Sequence, residues 1–430
     1  LSTMTFVVTR SSGVAVQPSE YTPSGTLNLS VIDSLPNLRV RVHSLFVFKY
    51  GHEPAKVIRE ALSKALVPYY PLAGRLKESS DGELQVACTR EGVWFVEAFS
   101  DCSLGDHMYL DNILLVPHDD LLATPPPEAH GMDPLVQIQL TVFKCEGFVI
   151  GFTLCHSVCD GLGAIQFLSA VGEFARGFLH PTIAPVWDRE TLPAPAWLTD
   201  VLRESKLLPP PPTPSYQLAH ASIDISEEQI YKLKNEFFEL TGELCSTFDV
   251  VAASIWCHRT RAVQFPKDTT VHLVFFPNTR HLSDPPLPDG YYGNFVFPMT
   301  VTSSSGWLVE ASTAEVVKLI KDAKARIPTE FTKWLKSEEL NVTDGSFHNP
   351  LAYTTLSLTD WSHLGIKEVD YGWGPPVHVF PTHGFSIAPI LTIGLPPTPK
   401  KGIRLLTWCV KMEHLPALVN YYKKEPLSRL

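Results

Sequence analysis

A histidine and an aspartate four positions apart can share a proton or brace a loop, and the spacing His-x-x-x-Asp occurs three times in this chain: His107/Asp111, His156/Asp160 and His220/Asp224. Three occurrences make the bare spacing uninformative, so the surroundings must separate them. His107 sits in a polar stretch rich in turn residues, and His220 closely follows a run of prolines. His156 alone follows an apolar run, 147–155 (Gly-Phe-Val-Ile-Gly-Phe-Thr-Leu-Cys), and precedes the glycine-bearing turn Asp160-Gly161-Leu162-Gly163. Such a run fits a strand buried on both faces. A strand end feeding an exposed loop is where an α/β scaffold holds a reactive side chain rigid yet reachable. Two readings stand on this context: a satisfied core histidine, or a general base.

Other chemistries find little support. Cys155, His156 and Cys159 do not match the spacing of structural zinc sites, and no second pair completes four ligands, so no metal is expected. A Gly-x-Ser-x-Gly nucleophile elbow is absent, as are dinucleotide and P-loop fingerprints. A lone histidine without a nucleophilic partner favours proton transfer on bound substrate over a covalent enzyme intermediate. Near the C-terminus, Asp370-Tyr371-Gly372-Trp373-Gly374 combines two glycines, two aromatics and an acid before Pro375-Pro376. By itself it reads as a tight, aromatic-packed turn.

The elements that must position these residues follow from periodicity. Strand-like segments fall at 5–9, 39–50, 147–155, 271–276 and 294–301. Helical spacing places Val57, Ile58, Leu62 and Ala65 on one face over 54–65, with Pro54 in the first turn. After the His156 loop, Ile165, Leu168, Val171, Phe174, Ala175 and Phe178 mark another helical face. Ser226 with Gln229 forms a capping-box pattern ahead of Ile230, Leu233, Phe237 and Leu240. A further helix starts at Ser246 or Thr247, with Phe248, Val251 and Ile255 inward, and another covers 314–327.

The 430 residues exceed what one core usually organises, so two domains are expected: 1–180 and 222–430, joined by a proline-rich crossover at 181–221 that includes Pro209–Pro212 and Pro214. Hydrophobic residues make up 44% and charged residues 19%, enough apolar material to bury a core and too much for general disorder. A formal charge of −10 repels polyphosphate, so nucleic acid is not an expected partner. No apolar run reaches the roughly 18 residues of a membrane span, and residues 1–10 are too short and polar for a signal peptide. The eight scattered cysteines read as reduced thiols, which implies the cytoplasm.

His156-Ser157-Val158-Cys159-Asp160-Gly161 together with Asp370-Tyr371-Gly372-Trp373-Gly374 resembles the plant BAHD acyltransferase family, marked by an HxxxDG motif mid-chain and a DFGWG motif near the C-terminus. The single departure is Tyr371 for Phe. The likeness extends to Tyr69-Tyr70-Pro71-Leu72-Ala73-Gly74-Arg75, Ser246-Thr247-Phe248-Asp249-Val250, Asn278-Thr279-Arg280 and Tyr292-Gly293-Asn294, and so spans nearly the whole chain. Within the family, the segment Pro54 to Lys64 and the Asp370 motif are most similar to the alcohol acyltransferase branch, which includes fruit-ester, monolignol and taxane acylating enzymes.

The resemblance implies an α/β fold of two chloramphenicol acetyltransferase-like domains, each a mixed sheet with flanking helices, and a channel between them with His156 at its middle. It also implies transfer of an acyl group from a coenzyme A thioester, a co-substrate rather than a bound cofactor, to an alcohol hydroxyl by a monomer. His156 would be the general base and the Trp361 indole would face the oxyanion, with Thr359 near the acceptor; core packing is the other reading of Trp361 and Thr359. Asp160 would turn away to pair with Arg280, while Gly161, Asp370 and Trp373 would brace the site. Ser246 and Thr247 are coenzyme A candidates or ordinary helix caps. Family members that acylate shikimate or quinate carry a cation upstream of the Thr-x-Trp segment, whereas residues 343–358 hold no Lys or Arg and only His348. A neutral alcohol acceptor follows from that. The alternatives are an amine acceptor, a thioester hydrolase and a non-catalytic thioester-binding protein of the same fold.

Overall fold

Phe148–Cys155 is buried along its entire length, which is why its sequence is uniformly apolar and does not alternate. In the computed structural model, which describes residues 6–192, 194–195, 198–200, 216–336, 352–382 and 388–423, it is an inner strand of a seven-stranded sheet. Phe148, Ile150, Phe152 and Leu154 face a core shared with helices α1 (Pro54–Ala65) and α2 (Gly161–Ala175). Val149 faces the other way, toward Leu45, Val47 and Phe380. The strand order is Val8–Arg10, Val93–Ser100, Val136–Phe143, Phe148–Cys155, Arg41–Phe48 and His378–Pro381, with Val14–Val16 also pairing with Val93–Ser100. Val93–Ser100 and Val136–Phe143 run parallel; the other pairings are antiparallel.

The second mixed sheet has six strands among the described residues, in the order Leu218–Ile225, Ile403–Lys411, Ile390–Gly394, Thr355–Asp360, Thr270–Phe275 and Met299–Ser304. Its core is organised by α4 (Thr247–Val263), whose Val250, Val251, Ile255 and Trp256 are fully buried among α3 (Glu227–Thr241), α5 (Thr313–Lys336) and the sheet. Burying side chains of this size stabilises by about 1.5–3 kcal/mol each. A third apolar cluster joins the two sheets: Leu406 and Trp408 of the second pack with Leu45, Val47 and Phe380 of the first.

Several expectations need adjusting. The strand near 294 begins at Met299, because Asn294 and Phe295 are spent on contacts with Asp33 and the His156 loop. Phe178 lies beyond the end of α2 and is about half exposed, and Leu240 faces solvent at 70% exposure. α5 runs past Pro328 to Lys336, farther than the 327 expected. The end of the 181–221 stretch already belongs to the strand Leu218–Ile225, and the edge strand His378–Pro381 of the first sheet comes from the C-terminal part of the chain. Pro209–Pro212, Pro214 and His348 lie outside the described residues.

α2 is placed by close backbone approach. Asp160 caps it, its Oδ1 accepting from the Gly163 amide at 3.0 Å. A Cβ on Gly163 would come within 2.0 Å of the Tyr292 carbonyl oxygen, and one on Gly172 within 2.4 Å of the Asp370 carbonyl oxygen. The helix that follows His156 therefore touches both the 292–294 turn and the Asp370 loop, with no room for a side chain between.

Candidate active site

His156 leaves the end of its strand with its amide donating to the Val40 carbonyl at 2.9 Å, and its ring is half-buried. Nδ1 lies 3.0 Å from Asn294 Oδ1. The Asn294 amide group has its nitrogen committed elsewhere: Nδ2 donates to Asp33 Oδ1 at 2.8 Å and to the His156 carbonyl at 2.7 Å. Oδ1 therefore faces the imidazole as an acceptor, which makes Nδ1 the protonated nitrogen and leaves the lone pair on Nε2. This tautomer suits a base acting through Nε2.

Behind Asn294 stands a buried ion pair. Asp33 and Arg189, both with fully buried side chains, meet at 2.7 Å. Arg189 Nη2 also donates to the Val158 carbonyl at 2.6 Å, and its guanidinium lies 4.0 Å from the centre of the Trp187 ring. Burial opposes the guanidinium charge, but the Asp33 carboxylate outweighs it and the Arg189 pKa is raised. Neither Asp33 nor Arg189 was legible as a site residue, since a charge next to no periodic pattern looks like solvated loop. Asn294 closes the segment Tyr292-Gly293-Asn294, yet nothing in its spacing connects it to a histidine 138 positions earlier.

Asp160 does not touch the imidazole nitrogens. Its Oδ2 pairs with Arg280 Nη2 at 2.6 Å, and the same nitrogen donates to the Gly293 carbonyl at 2.9 Å. The pair clamps the α2 cap to the 280–295 segment. Gly161 opens α2 opposite Leu364, a residue of the turn that follows Trp361. Trp361 continues the strand Thr355–Asp360, its amide donating to the Ile393 carbonyl at 2.8 Å; Thr359 Oγ1 lies 3.1 Å from Thr392 Oγ1 on the neighbouring strand.

A cleft of 270 Å³ opens between the two sheets, walled by Trp361 and Thr392, by the edge strand His378–Pro381, and by Lys400, Lys401 and Arg404. His156 is not among its walls. A neighbouring groove of 540 Å³ shares Glu227 and Gly402 with it and reaches Lys234 and Thr247. Ser246 uses its hydroxyl in a capping box with Asp249, while Thr247 Oγ1 accepts from Lys234 Nζ at 2.8 Å. Lys324 pairs with Asp249 at 2.8 Å.

The Asp370 loop packs on the first sheet. Asp370 Oδ1 accepts from the Gly372 and Gly374 amides at 2.8 and 2.9 Å, and Tyr371 is buried against Phe48, with Trp373 edge-on to Phe148. Burial raises the Tyr371 pKa. The other two His-x-x-x-Asp pairs build no site: His107 packs on Phe6, His220 stacks on Trp408, and Asp111 and Asp224 both bind Arg404. Among the described residues no cluster of His, Cys, Asp or Glu could hold a metal ion, and no helix is long and apolar enough to cross a membrane.

Residues 6–407 match the family described as the Transferase family, and the chain belongs to that family, the BAHD acyltransferases. It is an acyltransferase. Over 98% of its length it is 42% identical to acyl transferase 4 of rice (Oryza sativa subsp. japonica), of which 99% is covered. It is 40% identical to a myricetin 3-O-glucosyl 1,2-rhamnoside 6'-O-caffeoyltransferase of Crocosmia x crocosmiiflora, with 96% of this chain and 98% of the relative covered. It is 37% identical to a 3'-N-debenzoyl-2'-deoxytaxol N-benzoyltransferase of Taxus canadensis, with 94% and 93% covered. Its fold is that of vinorine synthase, with a TM-score of 0.71 at 20% identity over 96% of both chains. It also matches TRI101 of F. sporotrichioides, solved with coenzyme A and T-2, with a TM-score of 0.65 at 15% identity over 93% of this chain and 99% of that one.

Proposed function

We propose that the protein moves an acyl group from a coenzyme A thioester to the hydroxyl of a neutral alcohol, in one ternary complex, with His156 as general base. The observation that carries this reading is the Asn294 tether, whose Oδ1 accepts from Nδ1–H and so favours the tautomer that leaves Nε2 as the accepting nitrogen. Nε2 takes the hydroxyl proton as the alcohol oxygen attacks the thioester carbonyl. The tetrahedral oxyanion needs a fixed donor, and the Trp361 indole N–H is the group we assign to it; one such donor is worth roughly 3 kcal/mol in a dry site. Collapse breaks the carbon–sulfur bond, and the imidazolium returns its proton to the departing thiolate. Thr359 lies near the acceptor in this scheme.

The Lys234 and Thr247 groove, with Lys400 and Lys401 in the adjoining cleft, supplies cations suited to the phosphates of coenzyme A, and Ser246 caps the helix at that end. Asp160, Gly161, Arg280, Asp370 and Trp373 hold the loops in place, and residues 1–180 and 222–430 act as the two domains. All eight cysteines are free, which fits a monomer working in the cytoplasm. A matrix of acyl-CoA donors against alcohols and amines, read by mass spectrometry, tests the whole reading. Esters from neutral alcohols support it. Amide products alone would move it to the second reading, N-acylation, which the Taxus relative's name favours.

A further inference from the structure

Arg189 has a buried charge that the transfer scheme does not use. Its carboxylate partner receives an unusual number of donors: Asp33 accepts from the Ser30 amide at 3.0 Å, the Ser30 hydroxyl at 2.8 Å, Arg189 at 2.7 Å, and the Asn294 amide and side chain at 3.1 and 2.8 Å. Asn294 in turn is bonded to the His156 ring and carbonyl. A continuous chain thus runs from Arg189 through Asp33 and Asn294 to His156 Nδ1, buried except at the imidazole.

Two buried or largely buried ion pairs flank His156. Asp33 faces Arg189, and Asp160 faces Arg280. On the adjoining strand Arg41 is committed to the Gly131 and Asp133 carbonyls, and His43 to Thr153. Burial raises the pKa of the Asp133 carboxyl, which acts on Cys155, pushes the Cys155 thiol up to about 11, and raises Cys159, Tyr291 and Tyr292 as well. In a water-poor network, one uncancelled carboxylate near an imidazole favours the imidazolium. A protonated base cannot accept the hydroxyl proton.

We propose that Arg189 is a positioning residue for the transfer step: by cancelling Asp33 and fixing its carboxylate on Asn294, it keeps the His156 ring neutral with Nε2 free. The geometry supports a role beyond filling space. Arg189 places one nitrogen on Asp33 and another on Val158, within the Ser157–Asp160 turn, so it fixes both the charge behind Asn294 and the loop that carries the imidazole. Gly293 leaves room for it, since a Cβ there would fall 2.6 Å from Arg189 Cζ. This inference rests on the general-base reading of His156.

The test reads the ring directly in the full chain. Diethyl pyrocarbonate modifies neutral imidazole, and peptide mass spectrometry gives the rate at His156 against pH. Arg189→Met should move the midpoint upward by about one pH unit, a tenfold loss of neutral ring on the acid side. Asp33→Asn should move it downward, while Arg189→Lys and the double variant Asp33→Asn/Arg189→Met should stay near the parent. A folded Arg189→Met with the parent midpoint would overturn the proposal, as would single variants that both shift the same way. If Arg189→Met does not fold, an unmoved Asp33→Asn or an upward-shifted Arg189→Lys overturns it equally. His156→Ala separates the two claims. Turnover surviving in that variant removes the base reading, whereas unmoved midpoints beside a dead His156→Ala remove only the role of Arg189.

Discussion

Asp160 and Arg280, 120 residues apart in the chain, meet at 2.6 Å with both side chains largely buried, and the carboxylate faces the guanidinium instead of the imidazole four residues before it. The aspartate of this motif is a brace between a helix cap and a distant turn. Single substitutions, Asp160→Ala and Arg280→Ala, should each destabilise, and together by less than their sum. The expected coupling in a denaturation cycle is about 1–3 kcal/mol. Strict additivity would show the pair to be idle.

His156→Ala should preserve the far-ultraviolet spectrum and melting temperature while lowering thiol release from acyl-CoA in the presence of alcohol by roughly 10²–10⁴-fold, the usual contribution of a positioned acid–base group. A folded variant with parental turnover contradicts the assignment.

Asn294→Leu removes the acceptor for Nδ1 and lets the ring choose either tautomer. It should lower kcat by about 10- to 100-fold with little change in KM for the acyl donor, because the loss is in orientation of the base. Steady-state kinetics would show this. An equal loss through KM would place Asn294 in donor binding instead.

Acid stability offers a prediction with a definite sign. Burial, assisted by nearby arginines, lowers the pKa of His258 and of His378 to about 3. Their unfolded value is near 6.5. Between these values the unfolded chain binds protons that the native protein refuses, so stability falls as the pH drops below about 6.5 and the loss continues toward 3. Each histidine contributes a slope of about 1.4 kcal/mol per pH unit. His258 stacks on Tyr421 at 4.7 Å, a contact Phe can keep. His258→Phe should flatten the dependence of melting temperature on pH between 6 and 4; an unchanged slope would contradict the buried neutral state.

How much of this was legible in the sequence depends on whether a feature is local. α1 lies where its apolar spacing places it, the capping box at Ser226 starts its helix as read, and the next helix starts after Ser246 as expected, because cap chemistry is settled within four neighbouring positions. The strand before His156 was equally plain. The strand Leu218–Ile225 escaped notice although Ala219, Ala221, Ile223 and Ile225 alternate inward, since two of the four are alanines and prolines stand just upstream. α5 passes Pro328 because its inner face, Ile327, Phe331 and Trp334, continues to be buried beyond the missing amide. Asp33 and Arg189 become meaningful only when the fold removes water from both.

The edge strand His378–Pro381 gives the protein a seam that ties its last quarter to its first. During synthesis, Arg41–Phe48 emerges roughly 330 residues before its partner, a wait of about 20–70 s at ordinary ribosomal rates. Through that interval an apolar ladder stands open to other nascent chains. A split-gene version cut within 181–221 would inherit the same exposure permanently, so complementation should require both fragments to be made together.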